Sequence, residues 1–420
     1  MKTFARWFTI LCAVLLVACT SPATTPIPSA PKETAPTLPA REPTSAPEAL
    51  SPLAPELFFA RPTGPKGEAI AYDMLSGTQA FALPPGMLSA DGVHYFATAT
   101  EDDETTLSVF VPNTGRLASR FALAGQWALG GISPSGRWLA LARIVSDSEK
   151  EMWTQANEWR TDLQIVDSLT GAALHTLALD GNFEVETLSA DGKSLFLVEH
   201  LPAINPDHYV IRLYDLSNET LVADPLRSKG ADEVMAGYAW EGLASPDGKW
   251  LLTLYLSTQR NVAFVHTLNL IDKFPVCIDL PSDGGEFDEL KYYTLSLAPD
   301  GQTAYAANAV MGVVAEINLN DLTLKQAVPF AVNVPTTGFD PTIQTARGLL
   351  SPEGGMFYFT SGQNVWAYDT QANTVKGPFE FEGQIAGLGL SGDGKRLFVA
   401  SAGGVLAAFD TVSGVAVSLR

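Results

Sequence analysis

The 420-residue sequence predicts an all-β fold built from one repeated unit. A short turn phrase, Ser-x-Asp-Gly or a close variant, recurs seven times at intervals of 40 to 56 residues. Apolar runs with the composition of buried strands flank the copies. Repeats of this length are typical of propeller blades. We therefore predict a single β-propeller of four-stranded antiparallel blades rather than several separate domains.

The recurring phrase encodes a tight turn. In Ser245-Pro-Asp247-Gly248, proline presets φ, aspartate accepts local backbone hydrogen bonds, and glycine takes the positive φ that returns the chain. An eroded copy lies at Leu50-Ser51-Pro52. Seven clear copies and this weak one favour eight blades, with seven blades as the alternative. The clear copies begin at Ser89, Ser133, Ser189, Ser245, Ala298, Ser351 and Ser391.

A second turn follows the third strand of several repeats. Asp73-Met-Leu-Ser-Gly77, Asp167-Ser-Leu-Thr-Gly171 and Asp410-Thr-Val-Ser-Gly414 share one pattern, and a fourth strand follows each. The two turns together resemble the repeats of YVTN-type and related tryptophan–aspartate-like β-propellers, over about residues 50 to 420. This resemblance implies the propeller fold. It implies little about function, because the shared residues form turns, and we interpret the recurring aspartates as turn caps rather than metal ligands.

The N-terminus carries an export signal. Lys2 and Arg6 precede an apolar run from Trp7 to Val17, which would rise only about 16 Å as a helix, about half of a bilayer core. The run ends in Leu16-Val17-Ala18-Cys19, which resembles the bacterial lipobox. We expect a signal peptide over residues 1–18 and acylation of Cys19. The alternative is an ordinary cleaved signal with a chance cysteine.

Residues 19–49 predict an extended tether. Proline recurs there every two to five residues among Thr, Ser and Ala, a composition that forms neither helix nor core. At about 3.1 Å per residue, the tether could hold the propeller of residues 50–420 up to roughly 90 Å from the lipid. We therefore expect an extracytoplasmic protein, held by lipid alone at the outer membrane or on the outer leaflet of the cell membrane.

Charge and cysteine content limit the possible partners. The 26 basic and 46 acidic residues give a net charge of −20, which repels nucleic acid. Cleavage and acylation would leave Cys277 alone, so we expect no disulfide and interpret Cys277 as packing filler. We expect a monomer.

Apparent catalytic motifs have simpler explanations. Gly387-Leu-Gly389-Leu-Ser-Gly392 matches a dinucleotide fingerprint, but a strand follows where that motif needs a helix. We attribute these glycines, like Gly130 and Gly131, to crowding of the innermost strands. The five histidines form no ligand pair of helical spacing. We therefore expect no catalytic residue, no metal and no cofactor.

The long connections predict where a partner binds. Both short turns lie on one face of a propeller, so the other connections lie on the opposite face, where long loops usually carry function. These loops are Val145–Thr161, His200–Asp207, Leu226–Trp240, Pro281–Lys291 and Ala331–Arg347. The candidate ligand or partner residues in and beside them are Trp153, Trp159, His208, Tyr238, Trp240, Glu241, Asp288, Tyr292, Tyr293, Phe339, Asp340 and Arg347.

Three functions are compatible with this pattern. We favour a non-catalytic platform that binds a protein or carbohydrate partner. The resemblance also allows a lactonase-like enzyme with a site at the axial mouth, or an outer-membrane assembly factor. Ionisable side chains from three or more blades within hydrogen-bond reach at the mouth would favour the enzyme, whereas an apolar plug would exclude it.

Overall fold

A computed structural model describes residues 57–64, 67–227, 235–332 and 347–417 of the chain. These residues form eight antiparallel sheets, in each of which the strands follow one another in chain order. The prediction of an all-β propeller with eight blades is confirmed. The predicted signal peptide, Cys19, the tether, the eroded repeat at residues 50–52, and Phe339 and Asp340 lie outside the described residues.

The first four blades span residues 57 to 221. Blade 1 contains β1 (Leu57–Ala60), β2 (Ala69–Asp73) and β3 (Gln79–Leu83). Blade 2 contains β4 (Met87–Leu88), β5 (Tyr95–Glu101), β6 (Glu104–Val111) and β7 (Arg116–Ala124). Blade 3 contains β8 (Trp127–Ile132), β9 (Trp138–Arg143), helix α1 (Asp147–Ala156), β10 (Arg160–Asp167) and β11 (Ala173–Asp180). Blade 4 contains β12 (Asn182–Leu188), β13 (Ser194–Leu201), β14 (His208–Asp215) and β15 (Thr220–Leu221).

The other four blades span residues 238 to 417. Blade 5 contains β16 (Tyr238–Ala244), β17 (Trp250–Ser257), β18 (Val262–Asn269) and β19 (Phe274–Asp279). Helix α2 (Phe287–Leu290) precedes blade 6, which contains β20 (Tyr293–Leu297), β21 (Thr303–Asn308), β22 (Val313–Asn318) and β23 (Thr323–Pro329). Blade 7 contains β24 (Gly348–Leu350), β25 (Met356–Ser361), β26 (Asn364–Asp369) and β27 (Thr374–Glu380). Blade 8 contains β28 (Ile385–Leu390), β29 (Arg396–Ser401), β30 (Leu406–Asp410) and β31 (Ala416–Val417).

The turns have the chemistry that the sequence predicts. The Ser245 hydroxyl donates to Asp247 Oδ1 at 2.6 Å and accepts the Trp250 N–H at 2.8 Å, while Gly248 has φ of +72°. In the second type of turn, Asp73 Oδ1 accepts the N–H groups of Leu75 and Ser76. The recurring aspartates therefore bond to their own turns. These bonds satisfy the backbone groups at which each strand reverses.

The apolar core is divided into eight clusters, one between each pair of neighbouring blades. At the interface of blades 5 and 6, for example, Leu252 and Leu254 pack against Tyr293 and Leu295. Each sheet buries both of its faces in this way, which explains why the second strands are nearly continuous apolar runs. Burial of apolar surface stabilises such contacts by about 25 cal/mol per Å².

The ring closes between blade 8 and blade 1. Phe58 and Ala60 of β1 pack against Ala386 and Phe398 of blade 8. The Arg61 N–H donates to the Ala386 carbonyl oxygen at 3.0 Å. Blade 1 has three strands among the described residues, and its β2–β3 turn is the kind that joins the third strand to the fourth elsewhere. β1 therefore occupies the position of a second strand and lies directly against the innermost strand of blade 8.

The glycines of the apparent dinucleotide motif lie at this closure. A Cβ atom on Gly387 would lie 2.6 Å from the Phe59 carbonyl oxygen and 2.7 Å from Ala60 Cα. A Cβ atom on Gly131 would lie 2.6 Å from Val185 of the next blade. Crowding between adjacent blades therefore explains these residues, as the sequence predicts.

The connections divide between two faces. The first-to-second and third-to-fourth turns lie on one face, which we call the turn face. The second-to-third and blade-to-blade connections lie on the other, which we call the loop face. Helix α1 joins β9 to β10 and helix α2 joins β19 to β20, so both helices belong to the loop face. Within the described residues, neither helix has the length and apolar character needed to cross a membrane.

We predict that Gly387→Ala destabilises the propeller through this closure. The added methyl group must displace the backbone of β1, so we expect the free energy of unfolding to fall by about 1–3 kcal/mol. Denaturant unfolding of the purified propeller measures this change. Gly403→Ala is the matched control, because its methyl group would meet only ordinary contact with Ser401 at 3.7 Å. Equal stability of the two variants would contradict the proposed close approach of β1 and β28.

Candidate functional site

An aromatic cluster lies on the loop face between blades 5 and 6. We call Tyr238, Trp240 and Phe287 the aromatic shelf. The ring centroid of Tyr238 lies 6.3 Å from that of Trp240 and 6.0 Å from that of Phe287, both edge to face. Trp240 Nε1 donates to the Lys291 carbonyl oxygen at 3.0 Å, which fixes its ring. Tyr238 remains 40% exposed, so the shelf is both ordered and accessible.

Charged groups border the aromatic shelf. Lys291 Nζ lies 5.5 Å from the centroid of the Phe287 ring and donates to Asp288 Oδ1 at 2.6 Å. The Asp288 side chain is largely exposed. Burial raises the pKa of Tyr238, so its hydroxyl stays protonated at neutral pH. The structure thus brings three of the predicted residues, Tyr238, Trp240 and Asp288, into one surface.

Ionisable residues from three blades lie along the inner rim of the loop face. We define the inner rim as Glu241 of blade 5, Arg347 of blade 7 and Arg61 of blade 1. Glu241 Oε2 accepts the Leu295 N–H at 2.9 Å, and burial raises the pKa of Glu241 to about 7, against the opposing effect of Arg347. Burial lowers the pKa of Arg347, while nearby Glu241 opposes this and Arg61 adds to it. Arg347 therefore lies close enough to both Glu241 and Arg61 for their charges to affect its pKa.

The hydrogen bonds described for the inner rim connect neighbouring blades. Glu241 accepts from blade 6, and Arg347 Nε donates to the Ala386 carbonyl oxygen of blade 8 at 3.4 Å. The Arg61 guanidinium donates to the carbonyl oxygens of Gly67 at 2.9 Å and Gly86 at 3.0 Å. The rim is therefore charged rather than an apolar plug. Its described bonds hold neighbouring blades together.

Sequence reasoning missed two ionisable residues, Arg61 of the inner rim and Glu186 of the innermost strand of blade 4. Arg61 follows β1 in a repeat without a clear turn phrase. Glu186 lies at a bulge in β12, where Oε1 accepts the Thr253 hydroxyl at 3.0 Å and burial raises the pKa to about 7. Glu186 lies three residues before a turn phrase and the predicted Glu241 lies four before another, so this spacing is a signal that could have found Glu186.

A second group of predicted residues lies on blade 3. Trp153 of α1 and Trp159 meet edge to face with centroids 5.6 Å apart. The Arg143 guanidinium lies 5.9 Å from the Trp153 ring centroid and pairs with Glu149 and with Asp162. Both tryptophans are half-buried. This pair belongs to a different blade from the aromatic shelf.

The remaining predicted residues do not join either group. Tyr293 is fully buried in the core between blades 5 and 6, and Tyr292 is 5% exposed. His208 Nδ1 pairs with the neighbouring Asp207 carboxylate. We therefore leave Tyr292, Tyr293 and His208 out of the surfaces considered below.

A buried polar cluster lies inside blade 5. His266 is fully buried, and burial lowers its pKa to about 4, so it is neutral at physiological pH. Its Nδ1 lies 3.6 Å from Cys277 Sγ, and Cys277 packs at the edge of the core between blades 4 and 5. In the part of the chain that the structure describes, no three His, Cys, Asp or Glu side chains are arranged to hold a metal ion.

Comparisons with known proteins identify the fold and no family. No known family and no curated protein matches the sequence. Among solved structures, dihydro-heme d1 dehydrogenase NirN in complex with DHE is 14% identical, with a TM-score of 0.53 over 91% of this chain and 75% of that one. The Dos1 propeller is 13% identical, with a TM-score of 0.49 over 82% and 85%. Apo AztD from Citrobacter koseri is 13% identical, with a TM-score of 0.43 over 78% and 95%.

These likenesses have a limited meaning. At 14% identity, the likeness to the dihydro-heme d1 dehydrogenase shows the fold alone. A ligand or activity named for one of those proteins belongs to that protein. The resemblance to YVTN-type repeats therefore remains a prediction, and function must be argued from the surfaces of this chain.

We predict that Glu186 makes stability depend on pH. Its folded-state pKa of about 7 exceeds the ordinary value of 4.5, so the folded chain binds this proton more tightly than the unfolded chain does. The free energy of unfolding should therefore decrease as the pH rises from about 4.5 to about 7. In Glu186→Gln this decrease should be smaller, because the side chain no longer titrates.

Urea unfolding at several pH values across this interval measures the dependence. Glu382→Gln is the control, because that exposed side chain lies in the connection between blades 7 and 8, away from Glu186 of blade 4. Identical slopes for the wild type and Glu186→Gln would contradict the prediction.

Proposed function

We propose that this protein is a cell-envelope lipoprotein that presents its loop face as a non-catalytic platform for a protein or carbohydrate partner. The aromatic shelf is the observation that carries the proposal. Its rings are ordered by mutual contact and by the Trp240 hydrogen bond, and Tyr238 is exposed. An ordered and accessible aromatic surface is typical of recognition sites.

The chemistry of the shelf favours a carbohydrate. Aromatic faces pack against the apolar faces of sugar rings, and a few fixed polar groups select the hydroxyl pattern. Asp288 and Lys291 provide such groups at the edge of the shelf, and Glu241 follows Trp240 directly in the chain. A protein partner could use the same aromatic residues as anchors, which keeps it as the second class of partner.

An enzyme is the alternative that a specific observation favours. Glu186 and Glu241 both have pKa values of about 7, and carboxyl groups of this kind can exchange protons at neutral pH. The resemblance would make such an enzyme lactonase-like. We prefer the platform, because both carboxylates accept structural hydrogen bonds from a neighbouring blade. An outer-membrane assembly factor remains a third hypothesis and requires a protein partner.

The proposed anchor rests on sequence. The lipobox ending at Cys19 and the proline-rich residues 19–49 support a propeller held by lipid outside the cytoplasm. Such a tether would allow the loop face to meet partners at a distance from the membrane.

We predict that Tyr238→Ala weakens carbohydrate binding by about tenfold or more, because it removes the exposed ring of the shelf. A glycan array with the lipid-free propeller identifies the ligand, and calorimetry with that ligand measures the loss. Trp159→Ala is the control, because it removes an aromatic residue from another blade of the same face.

Other outcomes of this experiment would contradict the proposal. If Tyr238→Ala binds the carbohydrate as tightly as the wild type does, the aromatic shelf is not the binding site. Turnover of a sugar lactone that is lost in Glu241→Gln would favour the enzyme. If no glycan binds and a protein is captured through the aromatic shelf, the platform proposal stands with a protein partner in place of the carbohydrate.

We predict that Cys19 carries the membrane anchor. Wild-type protein expressed in a bacterium should incorporate labelled palmitate and sediment with membranes, because acyl chains would provide its attachment. Cys19→Ser should lose both the label and the membrane association. Cys12→Ser is the matched control and should retain both. Membrane association of Cys19→Ser would contradict the proposed anchor.

A further inference from the structure

Helix α1 presents apolar side chains on the loop face while burying none of its residues. Met152 is 57% exposed, and Ile144, just before the helix, is 42% exposed. Trp153, which follows Met152, and Trp159 are half-buried and contact each other, and Arg143, which precedes Ile144, lies 5.9 Å from the Trp153 ring centroid. We call Ile144, Met152, Trp153 and Trp159 the helix patch. Exposed apolar groups gathered in this way mark an interaction site more often than isolated ones do.

The helix patch is held in place without a core beneath it. A ten-residue helix is marginal in isolation, so other contacts must fix it. Ser146 and Glu149 form a capping box at its start. Arg143 pairs with Glu149 at 3.0 Å and with Asp162 at 2.9 Å, which ties the helix to β10. The patch is therefore presented in one orientation, which lowers the entropic cost of binding.

Acidic residues surround the helix patch. Glu151 and Glu158 are exposed on α1 and just after it. The exposed turn Glu101-Asp102-Asp103-Glu104 of blade 2 lies beside the start of the patch. Gln126 makes this connection, because its Nε2 donates to the Asp102 carbonyl oxygen at 2.6 Å and its own carbonyl oxygen accepts the Ile144 N–H at 2.8 Å.

We call Glu151, Glu158 and the turn of residues 101–104 the acidic rim. The acidic rim carries excess negative charge. The basic residue of α1, Lys150, pairs with Asp147 at 3.3 Å, and Arg160 at the start of β10 pairs with Asp162 at 2.7 Å. Within the described part of the chain, the structure gives no ion pair to Glu151, to Glu158 or to the turn of residues 101–104. A partner that covers the patch therefore meets several carboxylates whose charge is not compensated.

We propose that the helix patch binds a basic polypeptide segment. Its aliphatic side chains would cover Met152 and Ile144, and its Arg or Lys groups would lie over the tryptophan rings and pair with the acidic rim. The rim repels nucleic acid and anionic lipid, and a neutral glycan would not use its charge. This proposal goes beyond the platform proposed above, because it concerns blades 2 and 3 and not the aromatic shelf.

Fluorescence anisotropy with a labelled peptide of alternating Arg and Leu residues tests the proposal on the lipid-free propeller. We expect saturable binding that weakens as the salt concentration rises from about 0.05 M to about 0.5 M, because screening reduces the attraction. The matched peptide with Glu in place of Arg should not bind. Neutral and anionic lipid vesicles and a glycan array are tested in parallel.

Two variants and two controls locate the site. Met152→Ser removes apolar contact, and the double variant Glu151→Lys with Glu158→Lys reverses charge, so each should weaken peptide binding by about tenfold. Leu169→Ser and Glu219→Lys make the same kinds of change on the turn face and should have no effect. All five positions are exposed, so the thermal unfolding temperature should stay near that of the wild type.

Each remaining outcome overturns the proposal. These outcomes are no binding of the Arg–Leu peptide, equal loss in the turn-face controls, or equal binding of the Glu peptide. Vesicle or glycan binding that is lost in Met152→Ser would assign the patch to that partner instead. Tyr238→Ala should leave peptide binding intact, so the failure of this proposal and that of the aromatic shelf can be told apart.

Discussion

The contact between β1 and β28 is the constraint on which the propeller depends. Every other pair of adjacent blades is continuous in the chain, whereas blades 8 and 1 meet only by folding. The Arg61 N–H to Ala386 bond and the packing of Phe58 on Phe398 form this junction, and Gly387 and Gly389 leave room for it. Closure removes exposed sheet edges and completes the eighth apolar cluster. It also brings Arg61 to the inner rim, beside residues that lie nearly three hundred positions later in the chain.

The two faces of the closed ring differ in their chemistry. The turn face is made from short phrases whose serine, aspartate and glycine bond to one another, so their side chains are already engaged. The loop face carries the longer connections, both helices, the aromatic shelf and the helix patch. The shelf is aromatic with mixed charge, whereas the patch has an acidic rim, so one rigid face presents two surfaces of different chemistry.

Much of the fold was predictable, because turns have local chemistry. The sequence predicts a hydrogen-bonded turn at Ser245 and close strand contact at Gly387 and Gly131. The structure contains both features. The site was less predictable. Tyr238, Trp240 and Asp288 come together because α2 folds over β16, but Tyr293 lies in the core, since exposure depends on blade packing that spacing does not encode. Arg61 and Glu186 escaped notice because closure and a bulge decide their neighbours.

Amide hydrogen exchange of residues 57–61 tests the central claim most directly. If β1 is locked against β28, the Arg61 amide and the β1 amides that bond to β2 should exchange as slowly as amides in the second strands of blades 3 and 5, because all of them open only with the ring. Exchange at the rate of a frayed chain end, with the other blades still protected, would contradict a closed propeller. The inner rim and the division into two faces would then need another explanation.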